Sequence, residues 1–517
     1  MVYIRNLSLF LILMLPQFVF GKGQLVVSQN VLDRLYQVHG YFNTARPKIE
    51  LVKNKKNVAV YIKSRNTIQL ELSAYNLCIA FGKDSLDALS FILAHELVHA
   101  LQTSNNLPKT SFIAYDKTFK GSLDMERDAD IQGVFISYLA GFKSIKILPD
   151  LIDRMYEVYG INDKLIKAYP SKQERKLSAQ VVIQQVNDLI ELFELANRLT
   201  QISAYQSAIP CLEYISKYYQ GKEIFNNLGV NYVLLGMNMG KLQGEALLFP
   251  FELDWNLRIK KPKTGRGDDF LSPIDLLIQR KYYLKAQEYF KITKRLDPTY
   301  YWSDLNLFAI DVLLGKLDVA QGYYESYLQA QCTANQESEI FQKIKFVYAI
   351  LLFKKDEIEE AKRILNFIST QNNPYLSHMA KYNLNVISNG QIEFSFKSSG
   401  VCSTPGFKLV DIPDTEVKLT KIATMEWIVI DTAFQIERKM LPNSMIYTFF
   451  ENKEKSITIQ KINISNKYNF NIDPNLSSYL GKDESVYHCA KDGIAYLVRD
   501  GFLNGIIRYY TYYDNTL

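Results

Sequence analysis

Two of the five histidines in the 517-residue chain lie four residues apart, in the segment His95-Glu96-Leu97-Val98-His99. An α-helix advances about 100° per residue, so His95 and His99 share a face and can direct ring nitrogens at one metal ion. This HExxH spacing is typical of zinc sites, where Zn²⁺ lowers the pKa of water toward about 7. Glu96 can then act as a general base and pass the proton to a leaving group. The alternative, two solvent-facing histidines, does not explain the apolar run 91–94 before the motif.

A third ligand is needed, because two histidines leave one protein position of such a site to fill. Glu126 and Asp130 are also four residues apart and lie on one face of a second predicted helix. Glu126 can bind the ion, and Asp130 can accept the distal N–H of a ligand histidine and fix its tautomer. The small residues Ala129 and Gly133 would let the two helices pack closely. The alternative for this segment is an ordinary charged helix face.

HELVH followed by E-x-x-x-D, with Ala129 before the aspartate, resembles the gluzincin metallopeptidases of the HtpX and BepA type. The resemblance covers roughly residues 25–186. It implies that His95, His99 and Glu126 bind one Zn²⁺ ion, that Glu96 is the general base, and that Asp130 orients a ligand. It also implies a zincin-like α+β domain. The chain lacks the flanking membrane helices of some members, which favours a soluble, exported branch.

A later segment, Tyr169-Pro170-Ser171 with Glu174-Arg175, is similar to the His-Pro segment that follows the third ligand in this family. Tyr169 stands where many members carry histidine. Its phenol could donate a hydrogen bond to a developing oxyanion, and Arg175 is the other catalytic candidate. A structural ion pair is the alternative for Arg175. The family also implies a substrate strand along an edge strand near the zinc helix, for which we expect residues 67–72 or 77–81.

The N-terminal residues 1–21 predict a signal peptide, with a basic residue at Arg5, an apolar run at 7–15 and cleavage after Gly21. An uncleaved anchor is the alternative. We therefore expect a periplasmic or secreted protein with no mature transmembrane segment, and association with a membrane surface stays open. The metallopeptidase domain is expected at 22–200. It should contain helices at 28–42, 84–101 and 122–139 and strands at 48–52, 58–62 and 67–72.

Residues 201–391 predict a tetratricopeptide-like (TPR-like) all-α solenoid, with a generic helical bundle as the alternative. Ala286 and Ala320 are 34 residues apart, which is the length of this repeat, and aromatic residues follow each at the expected position. Such arrays form a concave groove for a peptide or partner protein. An interruption near 240–273 contains Phe249-Pro250-Phe251 and a short basic loop. We expect a solvated insertion there, with a lid or docking loop as the alternative.

Residues 392–517 predict a small β-rich domain, with a hairpin formed by 445–450 and 456–464 and turn signals at Asp500-Gly501 and Asn504-Gly505. His488 beside Cys489 is a weak metal pair, and a satisfied structural histidine is the favoured interpretation. The five cysteines are scattered; buried free thiols are favoured over a Cys402–Cys489 bridge. Hydrophobic residues make up 48% of the chain and the net charge is +6, which indicates a soluble globular protein and gives no indication of nucleic acid.

These features together predict an exported zinc endopeptidase whose repeats recruit a protein substrate or partner, with a role in envelope protein quality control suggested by the resemblance. A scaffold or chaperone-like binding protein, with latent or secondary proteolysis, is the alternative. The intact Glu96 argues against a dead enzyme. Hydrolysis of a bond other than a peptide is a third interpretation, because HExxH indicates metal-activated water and not the bond attacked.

Overall fold

The computed structural model describes residues 16–40, 45–53, 57–103, 121–160, 172–201, 204–239, 247–251, 273–335, 338–371, 373–389, 424–429, 435–441, 444–452, 455–469, 485–489, 494–499 and 502–513. This part of the chain is mostly helical, with two small sheets. It divides into two compact units. The first comprises Met1–Leu192, Ile215–Lys222 and Arg295–Pro298, and the second comprises Phe193–Tyr214, Glu223–Lys294 and Thr299–Leu517.

The first unit alternates helices with short strands before it becomes helical. Its elements are α1 (Pro16–His39), β1 (Lys48–Val52), β2 (Ala59–Ile62), β3 (Thr67–Glu71), α2 (Leu72–Ile79), α3 (Ser85–Thr103), α4 (Gly121–Leu139), α5 (Leu148–Tyr159) and the first part of α6 (Lys172–Gln201). The helices predicted at 84–101 and 122–139 and the three predicted strands are confirmed. The first helix begins earlier than predicted.

The sheet of this unit has the strand order β1-β3-β2, so β3 is central and β2 is the edge strand that packs on α3. β3 runs parallel to β1, with Lys48 opposite Thr67, and antiparallel to β2, with Tyr61 opposite Ile68. Ile68 and Leu70 are fully buried in the core. This arrangement leaves one side of β2 without a strand partner among the described residues.

The prediction that residues 67–72 or 77–81 supply the substrate-binding edge strand is therefore wrong. Most of 67–72 forms the central strand, whose two sides are already paired. Residues 77–79 belong to helix α2, in which the Glu71 carboxylate accepts a hydrogen bond from the Ser73 N–H at 2.6 Å and so caps the first turn. The apolar pattern at 77–81 does not distinguish a strand from a helix, because a short apolar segment fits a buried helix as well as a strand.

Helices α3 and α4 form the centre of the first unit. The apolar residues of α3 that are almost completely buried are Ala88, Leu89, Phe91, Ile92, Leu93, Ala94, Leu97 and Val98. Those of α4 are Ala129, Ile131, Val134, Phe135 and Ile136. Their burial removes a large apolar area from water and holds the polar face of each helix in a fixed position.

The second unit contains consecutive helices and then a sheet. After the end of α6 its helices are α7 (Tyr205–Ser216), α8 (Lys222–Asn238), α9 (Pro273–Leu296), α10 (Tyr301–Leu313), α11 (Leu317–Tyr323), α12 (Gln329–Ala334), α13 (Glu339–Lys354), α14 (Ile358–Ser369) and α15 (Pro374–Asn389). A π-helical turn at Tyr324–Leu328 joins α11 to α12. The prediction that residues 201–391 are all-α is confirmed for most of the described residues, with the segment 247–251 outside any helix.

The residues on which the repeat prediction rests lie in the helical core. Ala286, Phe290 and Ala320 are fully buried. Gly229 in α8 lies directly against the Phe290 ring, and Gly236 lies against Tyr283, so a side chain at either glycine would overlap an aromatic ring. Small residues therefore allow α8 and α9 to approach closely.

The predicted insertion near 240–273 is described only at 247–251, and there the expectation of a solvated segment is wrong. Leu247 is buried, and the Phe249 and Phe251 rings stack on each other and pack on the helical cores. The Leu248 N–H donates to Asn383 Oδ1 at 2.9 Å, and Asn383 Nδ2 donates to the Leu248 carbonyl at 3.1 Å. This side-chain amide fixes the backbone of the segment against α15. The basic loop lies outside the described residues.

The C-terminal strands form one antiparallel sheet in the order β4-β5-β6-β7-β10-β9-β8. They are β4 (Thr424–Val429), β5 (Gln435–Leu441), β6 (Ser444–Asn452), β7 (Lys455–Asn469), β8 (Ser485–Cys489), β9 (Ile494–Arg499) and β10 (Phe502–Tyr513). The predicted hairpin at 445–464 is confirmed as β6 and β7. Asn504-Gly505 is not a turn: it lies inside β10, at a register shift between Leu503 and Gly505.

Three of the cysteines, Cys78, Cys211 and Cys332, are buried free thiols, as predicted. Cys402, one half of the alternative disulfide, lies outside the described residues. Among the helices that the structure describes, none has the length and apolar character required to cross a lipid bilayer.

Candidate metal centre

Helix α3 carries three of the predicted functional side chains on the face that its apolar residues leave free. His95 and His99 are one turn apart, and their Nε2 atoms lie 3.1 Å from each other. Glu96 follows His95 and is 8% exposed. The fully buried neighbours Leu93, Ala94 and Leu97 anchor the helix, so the positions of the two imidazoles are set by packing.

Helix α4 brings Glu126 to the same point. Glu126 Oε2 lies 3.3 Å from His95 Nε2, and Glu126 Oε1 lies 3.4 Å from His99 Nε2. In the part of the chain that the structure describes, these three residues form the one group whose donor atoms could hold a metal ion. The two imidazole nitrogens and the Glu126 carboxylate therefore face one another, with each carboxylate oxygen directed at a different histidine.

Asp130, one turn further along α4, fixes the tautomer of His95. Its Oδ1 lies 2.8 Å from His95 Nδ1, and Asp130 is 1% exposed. A carboxylate only accepts hydrogen bonds, so His95 donates its Nδ1–H, and Nε2 is the nitrogen whose lone pair a metal ion could take in place of a proton. That lone pair faces His99 and Glu126, which is the arrangement a metal ligand needs.

A second, buried contact holds Asp130 itself. Arg175, near the start of α6, donates from Nη2 to Asp130 Oδ1 at 2.8 Å, and its side chain is 6% exposed. The hydrogen bond joins Arg175 to the metal centre through Asp130 and His95. The sequence predicts two alternative roles for Arg175, a catalytic residue or half of a structural ion pair. The contact with Asp130 is a buried ion pair.

The predicted close packing of the two helices is confirmed at Gly133. A Cβ atom at this position would lie 3.0 Å from the backbone nitrogen of His95 and 3.3 Å from its Cα. Ala129, one turn earlier, is fully buried. Because the contact at Gly133 is to backbone, a Cβ atom there would require α3 and α4 to separate by a few tenths of an ångström, which would change the distance from Glu126 to the histidines.

Glu96 contacts the edge of the sheet. Its Oε2 accepts a hydrogen bond from the backbone N–H of Tyr61 in β2 at 2.8 Å. Burial raises the pKa of the Glu96 carboxyl above its usual range, although the neighbouring histidines and the Tyr61 N–H partly oppose that rise. A carboxylate with a raised pKa is better matched to general base catalysis near neutral pH.

The electrostatics of the donor cluster favour positive charge at its centre. Burial alone would lower the pKa of His95, but hydrogen bonds to Asp130 and Glu126 raise it to about 10. Burial would raise the pKa of Glu126, yet hydrogen bonds with both histidines hold it well below its usual range. The carboxylates thus stabilise a cation among the imidazoles, and a metal ion can supply that charge instead of a proton.

The structure therefore brings together His95, Glu96, His99, Glu126, Asp130 and Arg175. Tyr169 lies outside the described residues. Sequence reasoning missed two groups. One is Gln102, whose Oε1 lies 3.0 Å from His99 Nδ1. The other is the Tyr61 backbone N–H, because nothing in the type or spacing of Tyr61 indicates which strand borders α3. No family model and no curated protein matches the chain, so the resemblance to the gluzincins stays a prediction.

Proposed function

We propose that this chain is an exported zinc-dependent endopeptidase that hydrolyses peptide bonds with metal-activated water. The observation that carries the proposal is the convergence of His95, His99 and Glu126 beside the buried carboxylate of Glu96. Three protein donors with a neighbouring general base are the parts that zinc peptidases use. Helices packed on a small mixed sheet are consistent with a zincin-like domain.

The distances between the donor atoms suit zinc. Zinc sites with bonds of 2.0–2.1 Å and tetrahedral angles place neighbouring donors roughly 3.3–3.4 Å apart. Here the two Nε2 atoms lie 3.1 Å apart, and the Glu126 carboxylate faces them through different oxygens, Oε2 at 3.3 Å from His95 and Oε1 at 3.4 Å from His99. Two neutral nitrogen donors and one carboxylate also form a set found in catalytic zinc sites, which keep a fourth position for water. We therefore infer that His95, His99 and Glu126 hold Zn²⁺.

When bound there, Zn²⁺ would lower the pKa of water and polarise a carbonyl group. The remaining chemistry belongs to the side chains. Glu96 would take a proton from the attacking water and deliver it to the leaving amine, and its raised pKa suits both transfers. Asp130 would keep His95 in the tautomer that binds metal, and Arg175 would hold Asp130 in place. Arg175 then acts through other residues and not on the substrate.

We propose that the helices between residues 205 and 389 form a TPR-like solenoid that recruits a protein substrate or partner. The burial of Ala286, Phe290 and Ala320, and the close approach of Gly229 to Phe290, support this interpretation. Export is proposed from the N-terminal sequence, and envelope proteins are the substrates that the family resemblance suggests.

The replacement Glu96→Gln tests the peptidase proposal. The variant should keep one bound Zn²⁺ per chain by elemental analysis and cleave a peptide library at least about 100-fold more slowly, because it lacks the base. Glu50→Gln is the matched control, since Glu50 lies on β1 and bonds Gln69 and Arg65 at the surface. Cleavage by Glu96→Gln at the wild-type rate would refute the assignment.

A second comparison separates an enzyme from a scaffold. Replacing Glu126 by Gln should abolish both zinc binding and cleavage while the capture of a partner by the helical unit persists. If the wild-type zinc-loaded chain cleaves no member of the library but still captures folded proteins, the scaffold alternative is favoured.

A further inference from the structure

The free edge of β2 presents a defined set of backbone groups. Among the described residues, β2 has a strand partner on one side only. That partner is β3, with Ala59 opposite Leu70 and Tyr61 opposite Ile68. In an antiparallel pair, successive residues alternate between those that bond across the pair and those that point away from it. The Glu71 N–H donates to the Val58 carbonyl at 3.1 Å, which identifies Val58 as a residue that bonds toward β3.

The alternation then assigns the other residues of β2. Val60 and Ile62 share the orientation of Val58 and bond toward β3, whereas Ala59 and Tyr61 direct their N–H and C=O groups to the free edge. The hydrogen bond from the Tyr61 N–H to Glu96 agrees with this assignment, because it leaves the sheet on the side opposite β3. At Tyr61, the outward-facing backbone N–H of β2 therefore bonds the proposed general base, Glu96.

This contact determines how Glu96 can be oriented. A glutamate side chain has several rotamers, so Glu96 without a fixed partner could adopt more than one orientation. The donor at Tyr61 is a backbone group, and its direction is set by the pairing of β2 with β3 and not by a second flexible side chain. The bond also engages Oε2 alone, which leaves Oε1 for a proton.

Resting on the proposed function, we propose that the backbone N–H of Tyr61 is a positioning group that holds the Glu96 carboxylate in its proton-accepting orientation. The edge of the sheet thereby contributes directly to the orientation of the catalytic base. A purely structural role would be to dock α3 on β2, and it makes a different prediction. In that case, loss of the N–H would reduce folding stability and metal content together with turnover.

Matched replacements at Tyr61 isolate the N–H. Tyr61→Ala removes the side chain, including the hydroxyl that donates to Asn66 Oδ1 at 3.0 Å, but keeps the backbone donor. Tyr61→Pro removes the donor as well, at a free edge where proline costs no sheet hydrogen bond. We expect Tyr61→Pro to lower kcat about 10–100-fold relative to Tyr61→Ala, with KM within a few-fold and zinc content unchanged.

Ala59→Pro controls for a proline elsewhere on the same edge. Ala59 points outward like Tyr61 but does not bond Glu96, so its replacement should keep kcat within a few-fold, whatever happens to KM. An equal loss of kcat in Ala59→Pro and Tyr61→Pro would overturn the proposal, as would equal kcat values for Tyr61→Ala and Tyr61→Pro.

Hydrogen–deuterium exchange provides a readout that requires no substrate and no turnover. The amide of Tyr61 should exchange slowly in wild type and in Glu96→Gln, whose side-chain oxygen still accepts, and at least about ten-fold faster in Glu96→Ala. The Ala59 amide is the internal reference. Unchanged exchange at Tyr61 in Glu96→Ala refutes the positioning contact, whereas a chain with this exchange pattern but no peptidase activity refutes the proposed function alone.

Discussion

Replacing Asp130 by Asn should separate the orientation of a metal ligand from the stability of the fold. Asp130 Oδ1 accepts from both His95 Nδ1 and Arg175 Nη2 at 2.8 Å, in a place where Asp130 is 1% exposed. The amide can still accept a hydrogen bond, but it can also present its NH₂ group to His95, and it carries no charge for Arg175. The variant therefore weakens both contacts while it preserves the size of the side chain.

The magnitude follows from these two contacts. Loss of the residue that orients a ligand histidine typically lowers metal affinity about 10–100-fold, or about 1.4–2.7 kcal/mol. Breaking a buried ion pair costs about 3–5 kcal/mol of unfolding free energy, and we expect about 3 kcal/mol here because the amide still accepts. Competition with a chromophoric chelator measures the first quantity, and urea unfolding of the metal-free protein measures the second.

Arg175→Met is the matched comparison. It also breaks the buried pair but leaves the Asp130 carboxylate beside His95, so it should lose a similar free energy of unfolding and less metal affinity than Asp130→Asn. If Arg175→Met and Asp130→Asn weaken metal binding equally, the loss of affinity results from the weakened fold and not from the lost hydrogen bond between Asp130 and His95. If Asp130→Asn binds metal like the wild type, Asp130 does not set the tautomer of His95.

Three further predictions concern single residues. Gly133→Val pushes α4 away from the backbone of His95 and should weaken metal binding at least about ten-fold in the same competition assay. Gly229→Ala, whose methyl group would overlap the buried Phe290 ring, should lower the free energy of unfolding of the second unit by about 1–2 kcal/mol in urea without changing metal affinity. Burial lowers the pKa of His39 to about 3, so the unfolded chain binds a proton below pH 6.5 that the folded chain excludes. The free energy of unfolding of the first unit should therefore fall by about 2 kcal/mol between pH 7 and pH 5, and His39→Leu should remove most of that fall.

The two glycine variants control for each other, because each adds bulk at a crossing of two helices and only one crossing lies at the metal centre. A loss of metal affinity in Gly229→Ala, or none in Gly133→Val, would contradict the role given to the α3–α4 contact. For His39, a pH dependence of unfolding that is the same in wild type and His39→Leu would show that another group causes it.

The local parts of the metal centre could be predicted from the sequence. The spacing of His95 and His99 requires only helical geometry, and the helix is indicated by the apolar run before the motif. The same reasoning placed Glu126 and Asp130 on one face of a second helix, with the small residues Ala129 and Gly133 where that helix packs on the first. These predictions succeed because each depends on contacts within one helix or between helices that are adjacent in the chain.

The sheet edge could not be predicted in this way. The order β1-β3-β2 differs from the order of the strands in the chain, because β3 forms a hairpin with β2 and also pairs in parallel with β1. The sequence showed three strands but not that β2 lies outermost, beside α3. Asn504-Gly505 illustrates the same limit, since a dipeptide typical of a hairpin turn lies within β10, where pairing on both sides overrides the local preference.

The donor cluster also joins two helices that the chain connects only through a long intervening segment. His95 and His99 belong to α3 and Glu126 to α4, so an ion held by all three would act as a cross-link that closes the loop between residues 99 and 126. Such a cross-link restricts the unfolded chain as a disulfide does, and binding to the folded state alone adds about 4 kcal/mol when free metal exceeds its Kd about 1,000-fold. Removal of the metal with a chelator should therefore lower the resistance of the first unit to heat and proteolysis.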